Sequence, residues 1–255
     1  MHDLTKQDGE LTLEQLAITL FSHVVNLGNM NLVIFDIDRG DMKHLLEVVH
    51  VVSCPMNFKK LSNDNYTKWN KVMPNATELS EAGVSFAKVN HTTSLFDIKW
   101  QDGLMRIPSL DVVDSMETLL RNLIAYEQQS SDVHPTYFSD YATFMNHLIT
   151  SEKDVKLLRR NGIIENWIGD DKEVVNIFNK MRNGGRSYSN FYYNNIYIKV
   201  FIHCEKTWNK IRANVMHNYF SKSWARASVA AGIMLFILTT IQTILAIISA
   251  FKSNK

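Results

Sequence analysis

The sequence predicts a mainly α chain with one small β-hairpin: an α+β soluble domain followed by a single C-terminal transmembrane helix. Three observations carry that prediction. Apolar residues recur at helical spacings of three and four through most of the chain, as at Leu119, Leu120, Leu123 and Ile124. Two short alternating runs, SLFDIKW and LMRIPSL, flank Gln101, Asp102 and Gly103 near 94–108, and an Asp-Gly step suits a tight hairpin turn. From Ala227 to Phe251 the chain reads ASVAAGIMLFILTTIQTILAIISAF, with no charge and no proline. As a helix that segment is long enough to cross a hydrocarbon core of roughly 30 Å.

The soluble domain is expected over 1–222 and the span over 227–251. Leu13, Leu16, Ala17 and Leu20 mark a first amphipathic helix. Met42, Leu45, Leu46, Val49 and Val52 mark a second, which stops at Pro55. Residues 56–76 are polar and rich in Asn and Lys, which reads as an exposed loop. After the hairpin, Asp114 with Glu117, Ser151 with Asp154 and Asp170 with Glu173 each place a capping side chain three residues before an acid, so a helix begins at each. The first buries Leu119, Leu120, Leu123 and Ile124. A helix over 137–149 presents Tyr141, Phe144, Met145 and Leu148, and the one from Asp170 carries Val174, Val175, Ile177 and Phe178. Gly162, Gly184 and Gly185 act as stops. Near 196–217, Phe201, Cys204, Trp208, Ile211 and Val215 form an apolar stripe opposite Lys199, Lys206, Lys210 and Arg212, a basic amphipathic helix.

The flanks orient the span. Lys206, Lys210, Arg212, Lys222 and Arg226 precede it and only Lys252 and Lys255 follow, a bias that favours a cytosolic soluble domain over the rival topology, a lumenal or extracellular one. Tyr219, Phe220 and Trp224 suit the membrane interface, and the two late lysines can snorkel. The N-terminal MHDLTKQDGELTLEQ lacks the pattern of a signal peptide, so a single-pass C-terminal anchor inserted after synthesis is expected. The sequons at Asn65, Asn75 and Asn90 are no more than Asn, Ser and Thr usage produces by chance. Cys54 and Cys204 make neither a disulfide framework nor a zinc spacing. Within the span, Ser228 and Gly232 allow close helix packing and Gln242 can bond to a neighbouring helix. The expected partner is the lipid bilayer, with an unidentified protein beside it.

Little in the chain points to chemistry. With 27 basic and 26 acidic residues the net charge is +1, which gives no electrostatic case for nucleic acid. LVIFDIDRG resembles the first motif of haloacid-dehalogenase-type phosphatases, with Asp36 as nucleophile and Asp38 beside it, and Gly169, Asp170 and Asp171 imitate a later acidic motif. Arg39 and Gly40 depart from that pattern, however, and no alternating strands and helices supply the parallel sheet such a site needs. His44 and His50 are not spaced to share a helix face, so they do not read as a metal pair. Tyr188, Phe191, Tyr192 and Tyr193 form either a contact surface or a covered, packed loop. No catalytic residue, cofactor, metal ligand or small-molecule substrate is expected.

The strings ATELSEAGVSF, SLFDIKWQDGLMRIPSL, ETLLRNLIAYEQ, GIIENWIGDDKEVVNIFNKM and WNKIRANVMHNYFSKSWA follow one another before the apolar tail. In that order they resemble the C-terminal half of the plant domain of unknown function 247 family, also called UPF0481-like. MKHLLEVVHVVSCP is similar to that family's central helix. The family's longer N-terminal portion, with its ENQIPFF-like string, does not stand in this chain, which therefore resembles a truncated member. The resemblance implies a plant source, membrane association and a role in protein recognition, since some members are linked with self-incompatibility. It implies no catalytic residues. The alternatives are a phosphatase built on Asp36 and Asp38, or a truncated member without function.

Overall fold

The computed structural model describes residues 45–55, 72–89, 94–130, 133, 135–181, 191–206, 209–211, 214 and 223–253. The expected first helix, Asp36 and Asp38, His44, most of the 56–76 loop and the stops at Gly184 and Gly185 lie outside them. The chain divides into two units, one of residues 1–80 and 84–203, the other of residues 81–83 and 204–255.

In the first unit, α1 (Leu45–Ser53) ends two residues before Pro55, whose ring cannot continue a helix. It buries Val48, Val49 and His50. The polar stretch gives way at Asn75 to a short helix, α2 (Ala76–Glu81), which a reciprocal cap starts. Glu78 N donates to Asn75 Oδ1 at 2.9 Å, and Asn75 N donates to Glu78 Oε2 at 3.1 Å.

The hairpin forms as the sequence predicts, but inside a larger sheet. β2 (Lys99–Gln101) pairs antiparallel with β3 (Leu104–Ile107), and β1 (Ser85–Lys88) lies parallel on the other edge of β3. Phe86 and Met105 are register partners and both are buried. At the turn Asp102 has φ 46° and Gly103 φ 88°, the positive values a two-residue hairpin turn requires. Pro108 interrupts the second alternating run, so the chain after it leaves β3 and forms β4 (Leu110–Val112), which pairs parallel with β5 (Ile164–Asn166) as a separate ribbon.

Each of the three cap signals marks a real helix start, with one change of role. α3 (Asp114–Gln129) has Val113 at its N-cap position, and no side chain caps it there. Asp114 therefore acts from the first turn, where its charge favours the helix dipole. α5 (Glu152–Arg160) has the expected capping box of Ser151 and Asp154. Ahead of α6 (Asp171–Met181), Asp170 Oδ1 accepts from Lys172 N at 2.9 Å. Gly162, with φ 69°, follows the end of α5.

The core forms around α4 (Tyr137–Leu148), in which nine of twelve residues are buried. It packs against α3 and α6. Tyr141, Phe144, Met145 and Leu148 face inward as predicted, joined by Tyr137, Phe138 and Ala142. Each side chain of this size contributes roughly 1.5–3 kcal/mol on full burial. Asn146 and His147 are buried too, and both are satisfied: Asn146 Nδ2 donates to Phe178 O at 3.2 Å, and His147 Nδ1 lies 2.7 Å from the Tyr197 hydroxyl. The Tyr141 hydroxyl is buried with no hydrogen-bond partner among the described residues.

The basic segment near 196–217 is described in parts. α7 (Asn194–Glu205) buries Tyr197, Val200 and Phe201 and leaves Lys199 exposed, whereas Ile211 is half exposed. In the second unit, α8 (Ser223–Ser253) carries the whole apolar tail.

The imidazole of His203 on α7 lies over the hairpin turn, so a Cβ on Gly103 would stand 2.8 Å from His203 Cε1. Steric crowding and positive φ act together at this position. Gly103→Ala is expected to destabilise the fold by roughly 1–3 kcal/mol, read as a lower denaturation midpoint. The corresponding change at Gly232, whose added Cβ would meet nothing within 4 Å, leaves that midpoint unchanged.

Candidate functional site

The densest group of chemically capable side chains lies where α1, α3 and α4 meet. His50 and Cys54 are one helical turn apart at the end of α1, so both point toward the start of α4. Glu127, near the end of α3, is fully buried there. Thr136 precedes α4 in the N-cap position but makes no side-chain cap, so the first amides of the helix need an outside acceptor. Glu127 supplies it. Its Oε1 accepts from Phe138 N at 2.9 Å and its Oε2 from Ser139 N at 2.8 Å and Ser139 Oγ at 2.7 Å. His50 Nε2 lies 2.9 Å from Oε1 and completes the set.

Cys54 Sγ is 3.7 Å from both ring nitrogens of His50. Thiol, imidazole and carboxylate thus stand in the order used by cysteine nucleophiles. The electrostatics run against that use. Burial pushes the Cys54 thiol far up, and the Glu127 charge pushes it further. The two backbone N–H groups nearest the cluster are already committed to Glu127, so they are not available to hold an oxyanion.

A second carboxylate is equally occupied. Asp154 accepts from Thr77 N at 2.8 Å and Thr77 Oγ1 at 2.6 Å, from Thr150 N and Oγ1 at 3.1 Å each, and from Ser151 N at 2.9 Å and Oγ at 2.8 Å. Burial raises its carboxyl, but these hydrogen bonds outweigh burial and hold it below the ordinary range. It ties the start of α2 to the start of α5.

The imitation of a phosphatase acidic motif dissolves in the structure. Asp170 is a helix cap, and Asp171 Oδ1 accepts from Arg159 Nη1 at 2.8 Å and Asn166 Nδ2 at 3.1 Å. His50 faces Glu127, and His44 lies outside the described residues. Among the described residues there is no group of three or more His, Cys, Asp and Glu that could hold a metal ion. Phe191 and Tyr193 are buried and Tyr192 packs on Tyr137 with ring centroids 4.9 Å apart, so these three are packed rather than displayed as a contact surface, while Tyr188 lies outside the described residues. Sequence reasoning passed over Glu127, because its role depends on a helix start eleven residues away and no local pattern announces it.

Glu127→Ala leaves His50 and two helix N–H groups without their acceptor in a dry site. The expected cost is roughly 3–5 kcal/mol, and Glu127→Gln, which keeps one carbonyl acceptor, costs less. Equilibrium denaturation of the purified chain checks both; a change below about 0.5 kcal/mol for the alanine variant would contradict this assignment.

Comparison with known proteins adds a family but no reaction. The family profile described as plant protein of unknown function, DUF247, matches residues 1–238. A putative UPF0481 protein of Arabidopsis thaliana is 28% identical over 182 residues, covering 70% of this chain and 34% of the relative. A second UPF0481 protein of that plant is 27% identical over 183 residues, covering 71% of this chain and 38% of the relative. The chain thus spans little more than a third of the length of the curated relatives it matches. No solved structure matches it. With its profile matched along nearly the whole sequence, the chain belongs to the plant DUF247 family of unknown function.

Proposed function

We propose that this chain is a single-pass membrane protein whose helical part acts by binding another protein rather than by catalysis. The observation that carries this reading is α8. Residues Ala230–Ser249 form a helical segment long and apolar enough to cross a membrane, and none of it is buried. Phe236 is 70% exposed and Met234 67%. Such a surface is costly in water and costs nothing in lipid. The hydroxyls on the helix suit lipid as well, because they bond back to its own carbonyls: Thr239 Oγ1 donates to Phe236 O at 2.9 Å, Thr243 Oγ1 to Thr239 O at 2.7 Å and Ser249 Oγ to Ala246 O at 2.9 Å.

The charge bias before the span supports a cytosolic helical part. The Asn75 carboxamide supports it too, since Nδ2 donates to Thr150 Oγ1 at 3.1 Å and Oδ1 caps α2, which leaves this sequon engaged in the fold. Binding rather than catalysis is supported by the commitment of Glu127, Asp154 and Asp171 to structure. It is also supported by Trp167, which is 70% exposed on a loop held in place. Trp167 N donates to Val112 O at 3.0 Å, while Asn166 Oδ1 accepts from Ile168 N at 3.0 Å and Gly169 N at 3.1 Å. A fixed, exposed tryptophan is a low-entropy anchor for a partner.

The full chain is expected to stay in the membrane pellet after alkaline carbonate washing, and an Ile237→Arg, Ile241→Arg double variant to move to the supernatant. Glycosidase treatment is expected to leave its gel mobility unchanged, as Asn65, Asn75 and Asn90 would carry no glycan. Proximity labelling from the cytosolic side is expected to lose specific neighbours in Trp167→Ala. Wild-type chain in the carbonate supernatant would end the membrane reading, and an unchanged neighbour set would end the role given to Trp167.

A further inference from the structure

The apolar span of α8 carries one polar side chain that its own helix does not satisfy. Within Ala230–Ser249 the hydroxyls of Thr239, Thr240, Thr243 and Ser249 each donate to a carbonyl about one turn back. Gln242 has no counterpart to these bonds: among the described residues none bonds to its carboxamide. The carboxamide oxygen cannot be served from within the helix, since every interior N–H is already committed to the carbonyl four residues back. Water is out of reach as well. Gln242 stands seven residues before Ser249, roughly 10 Å along the axis from the nearer end of the span. In lipid the oxygen therefore needs a donor from a second chain.

The face around Gln242 is built for such a neighbour. Gly232, Leu235, Thr239, Gln242, Ala246 and Ser249 follow one another in alternating steps of three and four, the 3.5-residue period of helices wound left-handed about each other. Eleven large apolar side chains are exposed within Ala230–Ser249; Leu235 lies on this line and the other ten stand off it. A Cβ added at Gly232 would meet nothing within 4 Å, so another backbone can come close there.

We propose that a second copy of this chain covers that line, so that α8 forms a parallel two-fold pair in the membrane with the two Gln242 carboxamides bonded to each other. The inference rests on the membrane reading of α8. Three features select a second copy over the span of a different protein. A carboxamide carries both donor and acceptor, so it is complementary to itself. Copies inserted in the same direction hold Gln242 at one depth, and a two-fold axis along the line sets each residue against its own counterpart. Ala230–Ser249 has no charged residue that would call for an opposite charge from another partner.

Resonance energy transfer between donor-tagged and acceptor-tagged full chains, purified and reconstituted in phosphatidylcholine vesicles, tests the pairing as the chains are diluted with lipid. Wild type is expected to show transfer that falls with dilution along a monomer–dimer curve. Gln242→Leu is expected to weaken pairing about three- to thirtyfold, and Gly232→Ile, which blocks close approach, to weaken it too. Gln242→Asn, which keeps donor and acceptor, is expected to retain most of the pairing, and Ile241→Ala, off the line, to match wild type. Wild-type transfer no greater than random crowding produces, undiminished pairing in Gln242→Leu, or an equal loss in Ile241→Ala would each overturn the proposal. Transfer present in crude membranes and lost in purified chain would give the line to another protein's span and overturn the second copy. A chain that resists carbonate yet stays monomeric ends the pairing alone, whereas one that carbonate releases ends the membrane reading and the pairing with it.

Discussion

The helical domain depends on bringing one largely buried helix, α4, into the interior and giving the free amides of its first turn an acceptor there. α4 buries nine of its twelve residues, including Phe138 in the first turn, so the amide there needs an acceptor within the fold. A self-supplied cap is missing at Thr136, and Glu127 on α3 fills the need. The same carboxylate receives His50, which fixes α1 to the pair. One buried side chain thus sets how three helices meet, and the aromatic contacts of Phe96, Tyr137, Phe138 and Tyr193 are arranged around that junction. Such a charge is tolerable in a dry site because every direction of approach has a donor.

Local patterns in the sequence carry the helices and the turn, because each is encoded within a few residues. Asp102 and Gly103 dictate a hairpin by their tolerance of positive φ, and Ser151 with Asp154 dictates a helix start by mutual hydrogen bonding. What was not legible is what joins distant segments. β1 pairs with β3 in parallel, and nothing in SFAK names its partner. β4 pairs with β5 across the whole of α3, α4 and α5. Asp154 looks like an ordinary capping acid, yet it also binds Thr77 in a helix 77 residues away. At Asp114 the local rule gave the right helix and the wrong role, since Val113 takes the cap position.

The same long-range contacts separate this domain from the enzymes that its short motifs imitate. A thiol, an imidazole and a carboxylate in line, or two aspartates after a glycine, are signals of chemistry only when their electrostatics are free for substrate. Here the carboxylates are occupied by backbone amides, hydroxyls and an arginine, and the thiol is held in its neutral form. The exposed features lie elsewhere, in a fixed Trp167 and in an apolar helix that the described residues leave unburied. That division suits a tethered binding protein, the reading that the family leaves open.

The structural role of Glu127 is the central claim, and native-state hydrogen exchange at the Phe138 and Ser139 amides tests it most directly. If Glu127 is a permanent cap, both amides exchange only through the opening that also exposes the middle of α4, with the same dependence on denaturant. Exchange of these two amides through small local openings, while Phe144 and Met145 stay protected, would contradict it and would show Glu127 to be a mobile acid.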